Sequence, residues 1–301
     1  MRFANSGLVA LVVATSSLVA TVTCRAEDDV IKEKPITYCE IAGETLQLDM
    51  ARPAGEGPFP AIVMIHGGGW EGGSRAGYLG ALPAMAKHGY VALTISYRLT
   101  KPDASGKAKY PFPAAVNDCK CAIRWLRANA AKYKVDPERI GVTGGSAGGH
   151  LSLMLGVTSA SDGLEGDGGY ADQSSKVQAV VNIFGPTDMP HISKSTGGAA
   201  PIVERFLGGK LDAIPDVYKK ASPISYVKKD LPPMLTIHGT ADTLVPPDQA
   251  ERFDKAMREA GAQHTMLLLN GQGHGFQGEG AQKSIEATVA FFDKHLKPGK
   301  K

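Results

Sequence analysis

Arg139-Ile140-Gly141-Val142-Thr143-Gly144-Gly145-Ser146-Ala147-Gly148-Gly149-His150-Leu151 reads as a short buried strand, an abrupt glycine-lined turn and the start of a helix. Ser146 stands at the apex of Gly144-x-Ser146-x-Gly148, the pattern of a nucleophile elbow. Such a turn holds the serine in a strained backbone conformation with its hydroxyl clear of the surface. Side chains on the flanking residues would collide with the adjoining strand and helix, so small residues are needed there. The helix that follows brings its positive N-terminal end close to where an oxyanion would form. In a chain with 36 glycines the five-residue pattern alone says little. The apolar strand before it and the small-then-apolar helical run after it give it weight.

The same alternation continues on both sides. Strands are expected at 36–41 and 45–51, joined by a tight Ala42-Gly43-Glu44 turn, and then at 61–65, 91–95, 177–184, 233–237 and 265–269. With the elbow strand they make eight. Several, such as Ala61-Ile62-Val63-Met64-Ile65, are continuous apolar runs, as strands buried on both faces are. Helices are expected at 79–88, 114–132, 147–157, 247–260 and 282–296, with short ones near 202–207 and 215–220. The pattern predicts an α/β fold, a mainly parallel eight-stranded sheet with helices on both faces. The irregular segment 186–227 has the size and position of a small cap over a site.

Ligands collect beyond the carboxyl ends of strands in such a sheet. Three strand ends there deliver Ser146, then Asp242 in His238-Gly239-Thr240-Ala241-Asp242, then His274 in Gly273-His274-Gly275-Phe276. The order Ser…Asp…His, together with His66-Gly67-Gly68-Gly69-Trp70 and Tyr97-Arg98-Leu99, resembles the α/β-hydrolase superfamily over about residues 36–296. Within it the chain is similar to secreted bacterial carboxylesterases of the hormone-sensitive-lipase and feruloyl/acetyl-esterase type. Ser96, before Tyr97, departs from the lipase-like pattern, where Asp is common.

The resemblance implies a catalytic Ser146, His274 and Asp242, with backbone N–H groups of Gly68, Gly69 and Ala147 as oxyanion donors. His274 would take the Ser146 proton and later give one to the leaving alcohol; Asp242 would fix the imidazole tautomer. Trp70 and Phe276 are candidates for the acyl pocket or plain wall residues. Asp188 is the rival acid. Asp118 reads as a solvated or salt-bridged structural acid. Among the other histidines, His66 is expected to hold the glycine loop, His150 to pack under the elbow and His238 to brace a turn. The expected activity is hydrolysis of short-acyl esters, acetyl or feruloyl groups on polysaccharide included, with no cofactor. Two other readings stand beside it: a peptidase of the prolyl-oligopeptidase kind, and a non-catalytic binding protein on the same scaffold.

Composition limits the rest. With 301 residues, 43 % of them hydrophobic, the chain can build a sizeable core, and its net charge of +3 carries no basic run that would favour nucleic acid. Arg2, an uncharged apolar run from Leu8 to Val22 and small residues at 24 and 26 read as a signal peptide over residues 1–26. The mature domain, 27–301, would then be secreted or periplasmic, without stable membrane insertion. Lipoprotein anchoring at Cys24 is disfavoured because Thr21-Val22-Thr23 matches the required box poorly. Cys39, Cys119 and Cys121 give no disulfide framework and read as buried small hydrophobes. A bridge from Cys39 and cation binding by the acidic loop 162–172 both stay open, though that loop fits no EF-hand spacing.

Overall fold

The computed structural model describes residues 29–297 and 299; the expected signal peptide and Cys24 lie outside them. In chain order the elements are β1 (Val30–Ile41), β2 (Glu44–Pro53), β3 (Phe59–Ile65), α1 (Leu82–Lys87), β4 (Val91–Ile95), β5 (Lys101–Pro102), β6 (Ala108–Lys109), α2 (Ala114–Ala128), α3 (Ala130–Tyr133), β7 (Val135–Gly145) and α4 (Ala147–Val157). They continue with β8 (Ala179–Ile183), α5 (Met189–Ile192), α6 (Ala200–Leu207), α7 (Pro215–Lys220), β9 (Met234–Gly239), α8 (Asp248–Glu259), β10 (His264–Leu269) and α9 (Gly278–Leu296). Short 3₁₀ turns precede α1 and follow α4 and α7.

Eight strands form one sheet in the order β1-β2-β4-β3-β7-β8-β9-β10. The β1/β2 and β2/β4 pairs are antiparallel and the others parallel. This is the α/β-hydrolase architecture. Side chains of β3 show why both faces must be covered. Ala61, Val63 and Ile65 enter one apolar cluster with α2 and α4, while Ile62 and Met64 enter another with α1 and α9. A strand alternates its side chains at period two, so an unbroken apolar run feeds two cores at once.

Several element boundaries differ from the sequence expectation. The helix expected over 114–132 stops at Ala128, because the Asn129 side chain donates to the Trp125 carbonyl (2.9 Å) and closes the last turn. A single helical turn, α3, follows. The helix expected from Leu79 begins at Leu82, next to Pro83, after a 3₁₀ turn at Arg75–Tyr78. Strand β8 is shorter than expected and ends at Ile183, since Phe184 takes a positive φ of 42°. The small β5/β6 arm lies between β4 and α2, where no strand is expected from the sequence.

Two polar networks tie down what the sequence left open. Arg98 grips Asp118 through Nη2 (2.7 Å) and Nε, and the Arg98 N–H donates to the same carboxylate (2.8 Å). Asp118 is therefore the salt-bridged structural acid, and it is buried. Glu165, in the loop considered for cation binding, is taken up by Lys120 (2.9 Å), Arg124 (2.7 Å) and Ser175 (2.8 Å). The Lys120 ammonium is fully buried, so this acid neutralises a charge of the fold itself. Among the described residues no group of three or more His, Cys, Asp or Glu converges as metal ligands, and no helix is long and apolar enough to cross a membrane. Cys39, Cys119 and Cys121 are buried free thiols, and Cys39 and Cys121 both donate to the Gly168 carbonyl.

Candidate active site

Strand β7 runs straight into Ser146, which adopts φ 57°, ψ −121° before α4 begins. The main chain can turn this sharply only because its neighbours lack side chains. A Cβ on Gly148 would land on the Ile65 carbonyl, and one on Gly144 would strike Ile65 and Gly148 backbone. The Ser146 N–H is held by the Ile183 carbonyl (2.9 Å), which fixes the elbow to β8. Two more non-glycine residues with positive φ, Trp70 (60°) and Phe184 (42°), flank this point. Such conformations cost on the order of 1–3 kcal/mol each and cluster where a site requires them.

Three strand ends converge on the serine. His274 Nε2 lies 2.9 Å from Ser146 Oγ, and His274 Nδ1 lies 2.8 Å from Asp242 Oδ2. The other carboxylate oxygen accepts the N–H groups of Leu244 (3.0 Å) and Val245 (2.9 Å). Burial alone would raise the Asp242 pKa. Hydrogen bonds from His238, His274 and the Val245 N–H together outweigh it and hold the carboxyl well below its usual range. Asp242 is thus a carboxylate, the proton of His274 sits on Nδ1, and the Nε2 lone pair faces the serine hydroxyl.

The glycine loop after β3 passes beside the elbow. A Cβ on Gly67 would touch the Ser146 Cβ (3.4 Å), and Gly68 adopts a φ of 116°. His66 and Tyr97 anchor the loop: their rings stack at 4.3 Å, and the Tyr97 hydroxyl donates to the His66 carbonyl (2.9 Å). Among the described residues, the N–H groups of Gly68 and Gly69 donate to no carbonyl or side chain. With the Ala147 N–H at the first turn of α4, they are unspent donors near the serine.

An apolar recess of about 50 Å³ opens beside Ser146, walled by Gly69, Trp70, Ile202, Val203, Leu244 and Val245. The wall residues from α6 belong to the segment read as a cap. They are held there by Phe206, which stacks on Trp70 at 4.1 Å. Two larger surface cavities, one beside Leu155–Ser159 and one beside Glu165–Lys176, do not touch the serine. Phe276 is not part of the recess. It packs edge-on against Phe184 (5.0 Å), and Phe184 in turn lies over the His274 ring (4.7 Å). Trp70 accordingly lines the recess, while Phe276 packs against Phe184.

The BD-FAE family profile matches residues 48–257, which is most of the described chain. The chain belongs to the BD-FAE family. It is similar to Esterase LipC of Mycobacterium tuberculosis, 37 % identical over 226 residues, covering 73 % of this chain and 53 % of the relative. The chain thus spans about half the length of the curated relatives it matches. Among solved structures, a truncated carbohydrate esterase from gut microbiota has TM-score 0.76 and 32 % identity, covering 89 % of this chain and 98 % of its own. Thermogutta terrifontis esterase 2, in a form phosphorylated by paraoxon, has TM-score 0.73 and 30 % identity, covering 88 % and 95 %. The same esterase in a propionate-bound form gives TM-score 0.73 and 30 % identity, covering 88 % and 96 %.

In this BD-FAE chain several other histidines and acids pair with partners of their own, apart from the serine. The rival acid Asp188 caps α5 and pairs with Arg252 (2.6 Å), with no link to His274. His88, His191 and His264 pair with Asp293, Asp248 and Asp254. His150 lies buried below the elbow and does more than pack. Its Nδ1 accepts from Trp70 Nε1 (3.2 Å), and its Nε2 donates to the Ala221 carbonyl (2.8 Å). It therefore joins α4, the glycine loop and the segment after α7. The recess residues Ile202, Val203 and Leu244 escaped sequence reading because they carry no motif. Phe184 did have a signal: it follows the last residue of β8, at the same sheet edge as the triad.

Burial lowers the His150 pKa to about 4 from an ordinary 6.5. The unfolded chain therefore takes up this proton first as pH falls. The His150 contribution is whole above about pH 6.5 and is lost as pH drops toward 4, up to ~3 kcal/mol in all. Urea unfolding at pH 7.5 and 4.5 should show a larger fall for wild type than for His150→Gln, which cannot titrate. Equal falls would show that His150 does not couple to stability.

Proposed function

We propose that this chain is a serine esterase that hydrolyses esters of small acyl groups through Ser146, His274 and Asp242. The observation that carries the reading is the unbroken hydrogen-bonded line from Ser146 Oγ to the Asp242 carboxylate, with an apolar recess alongside. His274 Nε2 takes the hydroxyl proton as Ser146 Oγ attacks the ester carbonyl. The oxygen that becomes negative is received by the N–H groups of Gly68, Gly69 and Ala147. The imidazolium then gives its proton to the departing alcohol, leaving an acyl-serine. Water, deprotonated by the same nitrogen, releases the acid and restores the serine.

The recess supports a small acyl group as the substrate's acid part. A small apolar recess suits a short acyl chain better than a bulky aromatic one. This favours acetyl over feruloyl esters among the groups the sequence leaves open. Similarity to a carbohydrate esterase supports a sugar as the alcohol. We place the mature protein outside the cytoplasm on the strength of residues 1–26.

A panel of 4-nitrophenyl acetate, butyrate and octanoate tests this. Acetate should give the highest kcat/KM, and a wild-type preference for octanoate would overturn the assignment. Ile202→Ala enlarges the recess from one side. It should raise the butyrate-to-acetate ratio of kcat/KM by about 10-fold, the scale of one or two methylenes in an apolar pocket.

A further inference from the structure

We infer that His238, a residue outside the triad, is a positioning residue for Asp242: its Nε2–H pins the 242–245 turn that aims the carboxylate at His274. The inference rests on the triad reading above. His238 is the fifth residue of β9 and has no exposed surface. Its Nε2 lies 2.8 Å from the Val245 carbonyl and 3.5 Å from Asp242 Oδ2, the oxygen that also meets His274 Nδ1.

The tautomer follows from these partners. Both atoms facing Nε2 are acceptors, so the proton must be there. Nδ1 is buried and has no hydrogen-bond partner among the described residues, so it gains nothing by holding a proton instead. A buried nitrogen left unsatisfied carries a cost, and a plain apolar residue in this place would avoid it. What the imidazole supplies in return is one fixed N–H, at the reach of its ring, aimed at the turn.

The consequence is geometric. Asp242 Oδ1 is held by the N–H groups of Leu244 and Val245. Those amides point inward only while the turn is drawn closed, and the Val245 carbonyl is the atom His238 grips. The two imidazoles approach the same carboxylate oxygen, one from the strand below and one from the reacting side. Leu244 and Val245 also wall the acyl recess, so the same latch sets one side of the substrate space. Without it the carboxylate could turn away from His274 while the sheet, the elbow and the recess floor stay formed.

The experiment compares His238→Gln, His238→Asn and His238→Leu with wild type and with Ser146→Ala. The Gln amide nitrogen reaches the place of Nε2, whereas the Asn amide is too short and Leu has no donor. On 4-nitrophenyl acetate, Asn and Leu should lose on the order of 10-fold in kcat with KM little changed, the scale of one lost buried hydrogen bond. Gln should recover most of that rate. The rate at which a fluorophosphonate labels Ser146 should fall and recover in the same order, because it reads activation of the serine apart from turnover. If Leu does not fold, the Gln–Asn comparison decides. Equal kcat for Gln and Asn, or a Leu variant as fast as wild type, would overturn the role of His238 while Ser146→Ala remains inactive. A fully active Ser146→Ala would overturn the triad reading and this inference together.

Discussion

Ser146→Ala is expected to lower kcat on 4-nitrophenyl acetate by about 10⁶-fold, the scale seen when the nucleophile of such a triad is removed. The loss is large because no other group can take over. His274 Nε2 is aimed at the Ser146 oxygen and at no other hydroxyl among the described residues. Thermal unfolding should change little, since the backbone contacts of the elbow are made by Gly144, Gly148 and the Ser146 N–H. Removing the Cβ-borne hydroxyl leaves all of them in place. The unspent N–H groups and the recess should still bind substrate, so KM should stay near wild type, with a small residual rate over water. Retained turnover, or fluorophosphonate labelling of the alanine variant, would mean that the chemistry lies elsewhere.

Asp242→Asn is expected to cost about 10⁴-fold in kcat while preserving the fold, as loss of the correct imidazole tautomer does in such sites. The hydrogen bonds explain the size. One side-chain oxygen must accept the N–H groups of Leu244 and Val245, so an asparagine places its carbonyl there. Its NH₂ then faces His274 Nδ1 and demands an acceptor from it. The ring proton moves to Nε2, where it points at Ser146 and can no longer receive the hydroxyl proton. Asp188→Asn is the matched control. That acid serves α5 and Arg252, so kcat should remain near wild type. Equal losses in the two variants would remove Asp242 from the mechanism.

The elements that carry these predictions were legible to different degrees. The elbow was readable because its constraint is local: a strand, a serine and glycines where any Cβ would strike backbone. Inner strands such as β3 and β4 were readable because burial on two faces leaves near-continuous apolar runs. Boundaries shifted where one side chain intervened, as Asn129 does in ending α2, or where a backbone strain at Phe184 ended β8. The partners of Asp118 and Glu165 were not readable, since an acid in a sequence looks the same whether solvated or gripped by a buried cation. The supporting histidines were visible only as candidates. That His150 bridges three segments depends on Trp70 and Ala221 arriving at its two nitrogens from far away in the chain.

By itself the sequence determined the sheet, its order of strand ends and the residues those ends present. Each of these follows from short-range rules: period-two burial, glycine where no Cβ fits, and side chains placed at a strand's carboxyl end. The tertiary structure alone decided how much room stands beside the serine. That volume is the gap left when α6 closes on Trp70 through the Phe206 stack, across more than a hundred residues of chain. A gap between surfaces is set by their mutual placement, and no property of either segment taken singly contains it.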